Sequence, residues 1–350
     1  MPHKFPYEWN LSDGYPAKGI EPNGLNVFGT FICGGGSTMG YKLAGFNHLG
    51  GVEIDLKVAD VYKANHKPKY LFVEDIRDFV KRTDYPAELY NLDILDGSPP
   101  CSSFSMAGNR EKDWGKKKVF REGQALQTLD DLFFDYIALA KKLQPKVVIA
   151  ENVKGLIQGN AKSYVRKIKA GFEDAGYKVQ LFLLNAASMG VPQMRERVFF
   201  ICQRKDLNFP KLLLNFNEPE ITYGEIKDKN DIQENMSLLY TDYWKSANQG
   251  EALGKSFSDY KLNDKSVPLT IKASCKFSCS TVPRWINKTE FCKMGSYPLD
   301  YNFKDIIPVY LIGMSVPPVF TAQISHQIYL QWLDPTLTIK RNGEPMNLTN

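Results

Sequence analysis

The apolar run Leu92-Asp93-Ile94-Leu95-Asp96 is followed directly by the stretch Gly97-Ser98-Pro99-Pro100-Cys101-Ser102-Ser103-Phe104-Ser105. The run is typical of a short buried strand, and the prolines after it predict a stiff loop at the carboxyl end of that strand. Because open α/β sheets bind ligands at this edge, the position favours Cys101 as a nucleophile. A second apolar run at 146–150 delivers Glu151 to the same edge. A thiol and a carboxyl at neighbouring strand ends suggest covalent catalysis assisted by a general acid.

Strand-like and helix-like segments alternate outward from this stretch in both directions. The segments with a strand pattern lie at 25–32, 51–54, 70–73, 92–95 and 146–150. The segments with a helical pattern lie at about 38–44, 56–65 and 126–143. This alternation predicts an α/β fold with a doubly wound, mostly parallel sheet. The segments 177–184 and 198–202 are expected to close that sheet as a β pair, joined by a loop that carries Gln193, Arg195 and Arg197.

Three parts are expected along the chain. Residues 1–204 are predicted to form a catalytic and cofactor-binding domain, with residues 1–24 wrapping its surface. Residues 205–283 are polar, dotted with aromatic residues and aperiodic, which predicts a small separate domain with little regular structure. Residues 284–350 are expected to return to the catalytic domain, with a helix over 316–333.

The composition is that of an ordinary packed protein. The 350 residues carry a net charge of +5, a mild tilt toward polyanions that does not by itself establish nucleic-acid binding. The six cysteines show no disulfide framework, and a nucleophilic Cys101 must stay reduced, which favours the cytoplasm. No apolar stretch is long enough for a membrane span, and the first residues lack the apolar region of a signal peptide. Cys275, Cys279 and Cys292 have no nearby histidine and no zinc-like spacing, so buried thiols are expected there and no metal site.

The ordered motifs of the chain resemble those of the DNA (cytosine-5)-methyltransferase family. In chain order they are the Gly-rich loop at 31–36, Glu53, Asp75, Pro-Pro-Cys at 99–101, Glu-Asn-Val at 151–153, Gln-x-Arg-x-Arg at 193–197 and Gly-x-Ser-Val at 313–316. Their order and spacing together make the resemblance specific, and it covers almost the whole chain. It implies the Rossmann-like fold of S-adenosylmethionine-dependent methyltransferases, with 205–283 as a short target-recognition domain.

The resemblance implies S-adenosylmethionine as the cofactor. Glu53 would accept hydrogen bonds from the ribose hydroxyls, and Asp75 would accept one from the adenine amino group. The residues expected to contact the cofactor are Phe31, Gly34, Gly35, Gly36, Glu53, Ile54, Asp75, Ile76, Pro99, Leu132, Ser315 and Val316. Three positions depart from the family pattern: Cys33 replaces a glycine, Ile54 an aromatic residue and Met314 an asparagine.

The resemblance also implies the chemistry. Cys101 would add to C6 of cytosine, and C5 would then attack the methyl group of the cofactor. Glu151 would bind N3 and the exocyclic amine and protonate N3, which requires a partly protonated carboxyl in a desolvated site. Arg197 would hold the cytosine O2, and Arg195 would orient the carboxylate and cap the pocket. Because C6 is not accessible in a duplex, the cytosine must flip out.

Double-stranded DNA is the expected partner. The stretch 102–123 is rich in lysine and arginine and fits a loop that closes on DNA, with binding that weakens as salt rises. The residues expected to contact DNA are Ser102, Ser105, Arg110, Lys116, Lys117, Gln193 and Arg284. The function expected is DNA cytosine-C5 methylation in a bacterial or phage restriction–modification setting. The protein would be a monomer, without a stable complex with any cognate endonuclease.

Three alternative functions have to be distinguished from DNA methylation. A tRNA cytosine-5 methyltransferase would use the same scaffold, and the nucleic acid that accepts the methyl group distinguishes the two enzymes. A non-catalytic DNA-binding regulator is disfavoured by the presence of Cys101, Glu151 and Arg197. A nicotinamide-dependent oxidoreductase is disfavoured because the loop at 31–36 lacks the Gly-x-Gly-x-x-Gly spacing.

Overall fold

A computed structural model describes residues 3–100, 131–229, 236–256 and 258–336, together with the backbone of 117–118 and 127–128. The strands, in chain order, are β1 (Asn26–Thr30), β2 (Asn47–Glu53), β3 (Tyr70–Val73), β4 (Ile94–Gly97), β5 (Lys117–Lys118), β6 (Gln127–Thr128), β7 (Val147–Val153), β8 (Tyr177–Asn185), β9 (Glu196–Arg204), β10 (Asp259–Lys261) and β11 (Lys276–Ser278). The α-helices are α1 (Gly36–Leu43), α2 (Leu56–His66), α3 (Ile76–Lys81), α4 (Leu132–Leu143), α5 (Lys162–Asp174), α6 (Tyr223–Ile226), α7 (Leu238–Ser246), α8 (Lys288–Met294), α9 (Pro308–Met314) and α10 (Pro318–Ile328).

One seven-stranded sheet organises the chain, in the order β3-β2-β1-β4-β7-β9-β8. The first five strands of this order run parallel to their neighbours. Strand β9 runs antiparallel to both β7 and β8. The predicted doubly wound, mostly parallel sheet is therefore confirmed, and so is the closing β pair.

The parallel arrangement brings the carboxyl ends of β1, β2, β3, β4 and β7 to one edge. Two of the connections that follow these strands begin helices with aspartate caps. Asp55 accepts hydrogen bonds from the backbone N–H groups of Lys57 and Val58 at the start of α2, and Asp75 accepts one from Arg77 at the start of α3. An aspartate before a helix satisfies N–H groups that the helix itself leaves without partners.

Two hydrophobic clusters cover the two faces of the sheet. One contains α3, α4 and α5, and its largest buried side chains include Phe79, Phe133 and Phe172. The other is formed by α1, α10 and the C-terminal part of the chain. Leu212, Tyr223 and Ile271 join this second cluster, so the apolar residues of 205–283 pack together with α1 and α10.

The length of the last helix and the amount of regular structure in 205–283 differ from the prediction. The helix expected over 316–333 begins at Pro318 and changes to a π-helical turn over Tyr329–Leu333. The regular structure in the described part of 205–283 amounts to α6, α7, a short 3₁₀ turn and the small parallel pair β10–β11. Cys275, Cys279 and Cys292 are buried free thiols. Within the described ranges, no helix combines the length and apolarity that crossing a membrane requires.

Candidate active site

A cavity of about 150 Å3 opens at the carboxyl edge of β1, β2, β3 and β4. Its lining comes from the loops after these strands together with α4 and α9. The residues that line it are Phe31, Cys33, Val52, Glu53, Ile54, Asp55, Val58, Glu74, Asp75, Ile76, Ser98, Pro100, Leu132, Tyr310 and Met314. Mostly apolar walls with a few acidic groups are typical of a site for a small organic ligand.

The loop after β1 has an unusual backbone. Phe31 and Cys33 adopt φ values of 54° and 47°, in the left-handed region that side chains other than glycine rarely occupy. The carbonyl of Gly34 lies 3.2 Å from Nε2 of His66 and accepts a hydrogen bond from the hydroxyl of Tyr301. These two contacts to the Gly34 carbonyl fix the conformation of the loop. They thereby fix the positions of Phe31 and Cys33 at the cavity wall.

Close packing at Gly36 forms a second, smaller cavity beside the first. A Cβ atom on Gly36 would collide with the carbonyl oxygen of Val316, so only glycine allows α1 to approach the chain after α9. The small cavity measures about 20 Å3. It is lined by Phe31, Ile32, Cys33, Gly36, Ser37, Thr38, Asp96, Ser98, Met314, Ser315 and Val316.

Glu53 ends β2 with its carboxylate held from two sides. Oε2 accepts a hydrogen bond from the N–H of Cys33 at 2.9 Å, and Oε1 accepts one from the N–H of Asp55 at 3.0 Å. Burial raises the pKa of Glu53, an effect that these backbone N–H groups oppose. The side chain is therefore oriented at the cavity wall and retains lone pairs for a ligand hydroxyl.

Asp75 reaches the same cavity from β3 but is already paired. Its Oδ1 and Oδ2 accept hydrogen bonds from Nε and Nη2 of Arg77, at 3.0 and 2.7 Å. Burial opposes ionisation of Asp75, but the hydrogen bonds from Arg77 outweigh it and lower the pKa of the carboxyl. Asp75 is thus an ionised acceptor at the wall of the cavity.

Most of the residues expected to contact the cofactor line one of the two cavities. Those at the larger cavity are Phe31, Glu53, Ile54, Asp75, Ile76 and Leu132. Those at the smaller cavity are Phe31, Gly36, Ser315 and Val316.

Gly34, Gly35 and Pro99 do not belong to the lining of either cavity, and their contact with the cofactor stays a prediction. Gly34 turns its carbonyl inward, and Gly35 packs against the ring of His66. The carbonyl of Pro99 accepts a hydrogen bond from Asn152, and the neighbouring Pro100 lines the cavity in its place.

Several lining residues were missed. Val52, Asp55 and Glu74 lie within two residues of Glu53 or Asp75. The strand pattern that identified those two carboxylates could therefore also have predicted these neighbours as lining residues. Tyr310 had no local signal, because it reaches the cavity from a helix far away along the chain. Asp96 lies within the apolar strand run at 92–96, where no motif predicts a role for it.

Glu151 and Arg197 form an ion pair beside these cavities. Nε of Arg197 lies 2.9 Å from Oε1 of Glu151, and both side chains are mostly buried. The pair forms because Val153 at the end of β7 lies opposite Arg197 in β9. Burial lowers the pKa of Arg197, and the neighbouring carboxylate opposes this effect. The arrangement offers a carboxyl and a guanidinium to one planar polar ligand.

A hydrogen bond joins this pair to the proline loop. Nδ2 of Asn152, the residue after Glu151, donates to the carbonyl of Pro99 at 3.0 Å. Glu151 is thereby tied to the segment that leads into Cys101. The residues Cys101, Ser102, Ser105, Arg110 and Lys116 and the side chain of Lys117 lie outside the described part of the chain.

Gln193 and Arg195 make structural contacts in place of the expected ones. Gln193 is 1% exposed; its amide donates to the carbonyl of Met294 and accepts from the N–H of Ile271. It is therefore buried away from any DNA. The guanidinium of Arg195 donates to the carbonyls of Ile271, Gly313 and Ser315, at 3.2, 3.2 and 2.8 Å. Burial and the nearby Arg197 lower the pKa of Arg195 to about 9. Arg195 thus fixes the walls of the site, and the expected carboxylate contact is corrected.

Arg284 is likewise a structural residue. Its Nη1 lies 2.7 Å from Oε2 of Glu290, and the two side chains are 2% and 0% exposed. The hydroxyl of Tyr223 donates to the same carboxylate at 2.7 Å. A guanidinium buried in this way is not accessible to a phosphate, so the expected DNA contact is corrected.

Sequence comparison matches the chain to one family model and to several Type II methyltransferases. A family model described as C-5 cytosine-specific DNA methylase matches residues 25–266. The Type II methyltransferase M.NgoPII of Neisseria gonorrhoeae is 36% identical over 211 residues, which cover 59% of this chain and 54% of that protein. M.FnuDI of Fusobacterium nucleatum is 37% identical over 199 residues, covering 56% of this chain and 50% of that protein. These alignments span about half the length of the relatives.

Solved structures share the fold. A DNA modification methyltransferase encoded within an E. coli prophage superposes with a TM-score of 0.69 at 20% identity, covering 89% of this chain and 100% of that chain. A mutant of Spodoptera frugiperda DNMT2 gives a TM-score of 0.64 at 17% identity, covering 87% of this chain and 99% of that chain. At these identities the likeness establishes the fold.

Proposed function

Because the chain belongs to the C-5 cytosine-specific DNA methylase family, we propose that it methylates C5 of a cytosine in a specific double-stranded DNA sequence. The single observation that carries the proposal is the buried pair Glu151–Arg197, linked through Asn152 to the loop that leads into Cys101. A carboxyl and a guanidinium at one strand end, beside the loop that continues in sequence to a thiol, match the atoms that cytosine presents.

S-adenosylmethionine fits the residues at the larger cavity. Ile54, Ile76 and Leu132 give apolar walls for an adenine ring. Glu53 is oriented to accept from ribose hydroxyls, and Asp75 is an ionised acceptor near them. Isoleucine at position 54 provides apolar contact where the family usually has an aromatic ring. When bound, the cofactor supplies a methyl group on a sulfonium, which is the electrophile that the reaction needs.

The residues of the chain prepare cytosine for that electrophile. The Cys101 thiolate adds to C6, and the electrons of the C5–C6 double bond move to give an enamine. Arg197 leaves its partner to hold O2, and Glu151 then takes up a proton from water and donates it to N3 as charge develops there. After C5 gains its methyl group, a base removes the C5 proton. The C6–sulfur bond then breaks, Cys101 leaves as a thiolate, the C5–C6 double bond is restored, and N3 returns its proton to Glu151.

DNA must deliver the cytosine from outside the stacked duplex, so base flipping is part of the proposal. The basic stretch 102–123 supplies cations for phosphates, and we assign Ser102, Ser105, Arg110, Lys116 and Lys117 to this contact. Recognition of the sequence is assigned to the segment 205–283. We also propose that the protein acts as a cytoplasmic monomer alongside a cognate endonuclease. The names of its Type II relatives support that setting.

The test is transfer of a tritiated methyl group to unmethylated genomic DNA, with total tRNA as a parallel acceptor. We expect the label on DNA, and we expect Cys101→Ser to lose it while still binding the cofactor. Bisulfite sequencing of the product would give the target sequence. Label on tRNA alone would move the assignment to an RNA methyltransferase, and full activity of Cys101→Ser would overturn the covalent mechanism. Cofactor binding without label on either acceptor would favour a binding-only role.

A further inference from the structure

Asp96 is a buried carboxylate at the carboxyl end of β4. The residue is 8% exposed, and its Oδ1 accepts a hydrogen bond from the hydroxyl of Tyr41 at 3.0 Å. Ser37 adds a second hydrogen bond from α1. Near the other end of the strand, Asp93 is paired with Lys146, whose Nζ lies 2.7 Å from Oδ1. Asp96 makes no such ion pair within the described residues, and a buried carboxylate without a cation is costly.

The small cavity gives Asp96 access to a ligand. Asp96 is the one residue of its lining with an ionisable carboxyl, and the cavity shares Phe31, Cys33, Ser98 and Met314 with the larger cavity. Its volume of about 20 Å3 suits one small polar group. A ligand that fills the larger cavity can therefore extend one short substituent toward Asp96.

The small cavity also contains complementary chemistry. Gly36, Ser37 and Thr38 line it where α1 begins, and a helix N-terminus favours negative charge. A carboxylate and a helix N-terminus where the two cavities adjoin suit a ligand end that carries both an ammonium and a carboxylate, with the ammonium in the small cavity. That combination is the α-carbon of a free amino acid.

We propose that Asp96 binds the α-ammonium group at the amino-acid end of the cofactor. This inference rests on the proposed function, which supplies a cofactor with such an end. Met314 stands where the family usually has an asparagine, and it brings no polar group to this cavity. Asp96 supplies charge to the same cavity from the end of β4.

Binding is expected to depend on pH. Burial, with a smaller contribution from the charge of Glu151, raises the pKa of Asp96 to about 7, and the hydrogen bonds from Tyr41 and Ser37 oppose the shift. The titratable groups that face Asp96 are Tyr41 on α1, Tyr62 on α2, Tyr136 on α4 and Glu151 on β7. An ammonium favours the ionised carboxylate, so binding releases a proton wherever Asp96 starts protonated. Affinity should therefore fall about tenfold per pH unit below the pKa of Asp96.

The experiment is calorimetric titration with S-adenosylhomocysteine and with its analogue that lacks the α-amino group. Asp96→Asn should lower the affinity for S-adenosylhomocysteine about 10–100-fold, the range of a charge-assisted hydrogen bond. The same variant should change the affinity for the des-amino analogue by no more than about twofold. Asp93→Asn is the matched control, a buried aspartate near the opposite end of β4, and should change neither.

A measurement on the unaltered protein covers the case in which Asp96→Asn fails to fold. Titrations at pH 6 in buffers of different ionisation enthalpy should reveal release of a proton with S-adenosylhomocysteine and much less with the des-amino analogue. Equal losses for both ligands in Asp96→Asn, or equal proton release with both, would overturn the role of Asp96. Absence of binding to the unaltered protein would overturn the proposed cofactor, and this inference with it.

Discussion

Two regions at the carboxyl edge of the sheet differ in how far apart along the chain their contacting residues lie. The cofactor half is formed at the ends of β1, β2 and β3, and the catalytic half near the ends of β7 and β9. At the ends of β1, β2 and β3, Glu53 contacts Cys33, 20 residues away, and Asp75 contacts Arg77. Near the ends of β7 and β9, Arg195 reaches carbonyls 76 and 120 residues away. The cofactor half is therefore mostly shaped by local strand–loop–helix geometry. The catalytic half depends on segments that only the tertiary fold brings together.

This difference is sharpest within the Gln-x-Arg-x-Arg motif. Arg197 lies in β9 and faces Glu151, whereas Gln193 and Arg195 lie in the loop before β9 and face inward. Three residues with the same spacing thus divide into one that can contact substrate and two that hold the walls of the site. The following experiments test that division.

The largest effect is expected from Glu151→Gln. Losing the proton donor should lower methyl transfer about 10²–10⁴-fold, because general acid catalysis contributes on that scale. Glu196→Gln is the matched control: Glu196 is a half-exposed carboxylate paired with Lys154 in the same region. Steady-state rates should separate the two variants, and similar rates for both would remove Glu151 from the mechanism.

The next effect separates Arg195 from Arg197 by stability. Arg195→Met leaves three buried carbonyls without donors and should lower the free energy of unfolding by about 3 kcal/mol or more. Arg197→Met should chiefly lower catalysis, since its guanidinium pairs with Glu151 at a site built for substrate. Urea unfolding of both variants is the measurement. A more stable Arg195→Met than Arg197→Met would contradict the division.

A smaller effect is expected from Gln193→Leu. The substitution removes one acceptor and one donor from buried backbone groups and should cost about 2 kcal/mol of unfolding free energy. If Gln193 is structural, the salt dependence of DNA binding should stay unchanged in the folded variant. A fall in sequence discrimination at full stability would instead restore Gln193 as a DNA contact.

The smallest effect concerns the cofactor half, where Asp75 pairs with the partly exposed Arg77. The pKa of Asp75 is lowered in the folded state, so the stability it contributes is present above its unfolded pKa and lost as pH falls through its folded value. Asp75→Asn should cost at most about 1 kcal/mol at pH 7, because the pair is partly solvated. That cost should be smaller at pH 2, where the carboxyl of Asp75 is protonated in the unfolded chain. Chemical unfolding at both pH values checks this sign.

The same contrast explains what could be predicted from the sequence. Strand β3 was expected at 70–73 and lies at Tyr70–Val73, because a short apolar run between turns is a local signal. Glu53 and Asp75 were found because each follows such a strand. Pro100 lines the larger cavity, whereas Pro99 accepts a hydrogen bond from Asn152. No local sequence pattern reveals that hydrogen bond.

The rest depended on partners distant in sequence. The burial of Gln193 and Arg284 requires Ile271, Met294 and Glu290 to arrive from the C-terminal half. Arg195 and Arg197 differ in the distant residues that they contact, and the Gln-x-Arg-x-Arg motif alone does not distinguish them. Asp96 has only a local signal, because an acidic residue after an apolar run indicates the end of a strand. Its proposed role follows only from the cavity beside it.

The contact between Gly36 and Val316 has a consequence for synthesis on the ribosome. Ribosomes add about 5–20 residues per second, and domains generally fold from the N-terminal end. The loop at 31–36 therefore emerges long before Tyr310 and Met314, which complete the cavity, and before α10, which covers α1. A nascent chain cannot enclose the cofactor until its last helices have left the exit tunnel. Premature release by a stop codon before α9 thus yields a protein without a closed site, so truncated products are inactive from the start.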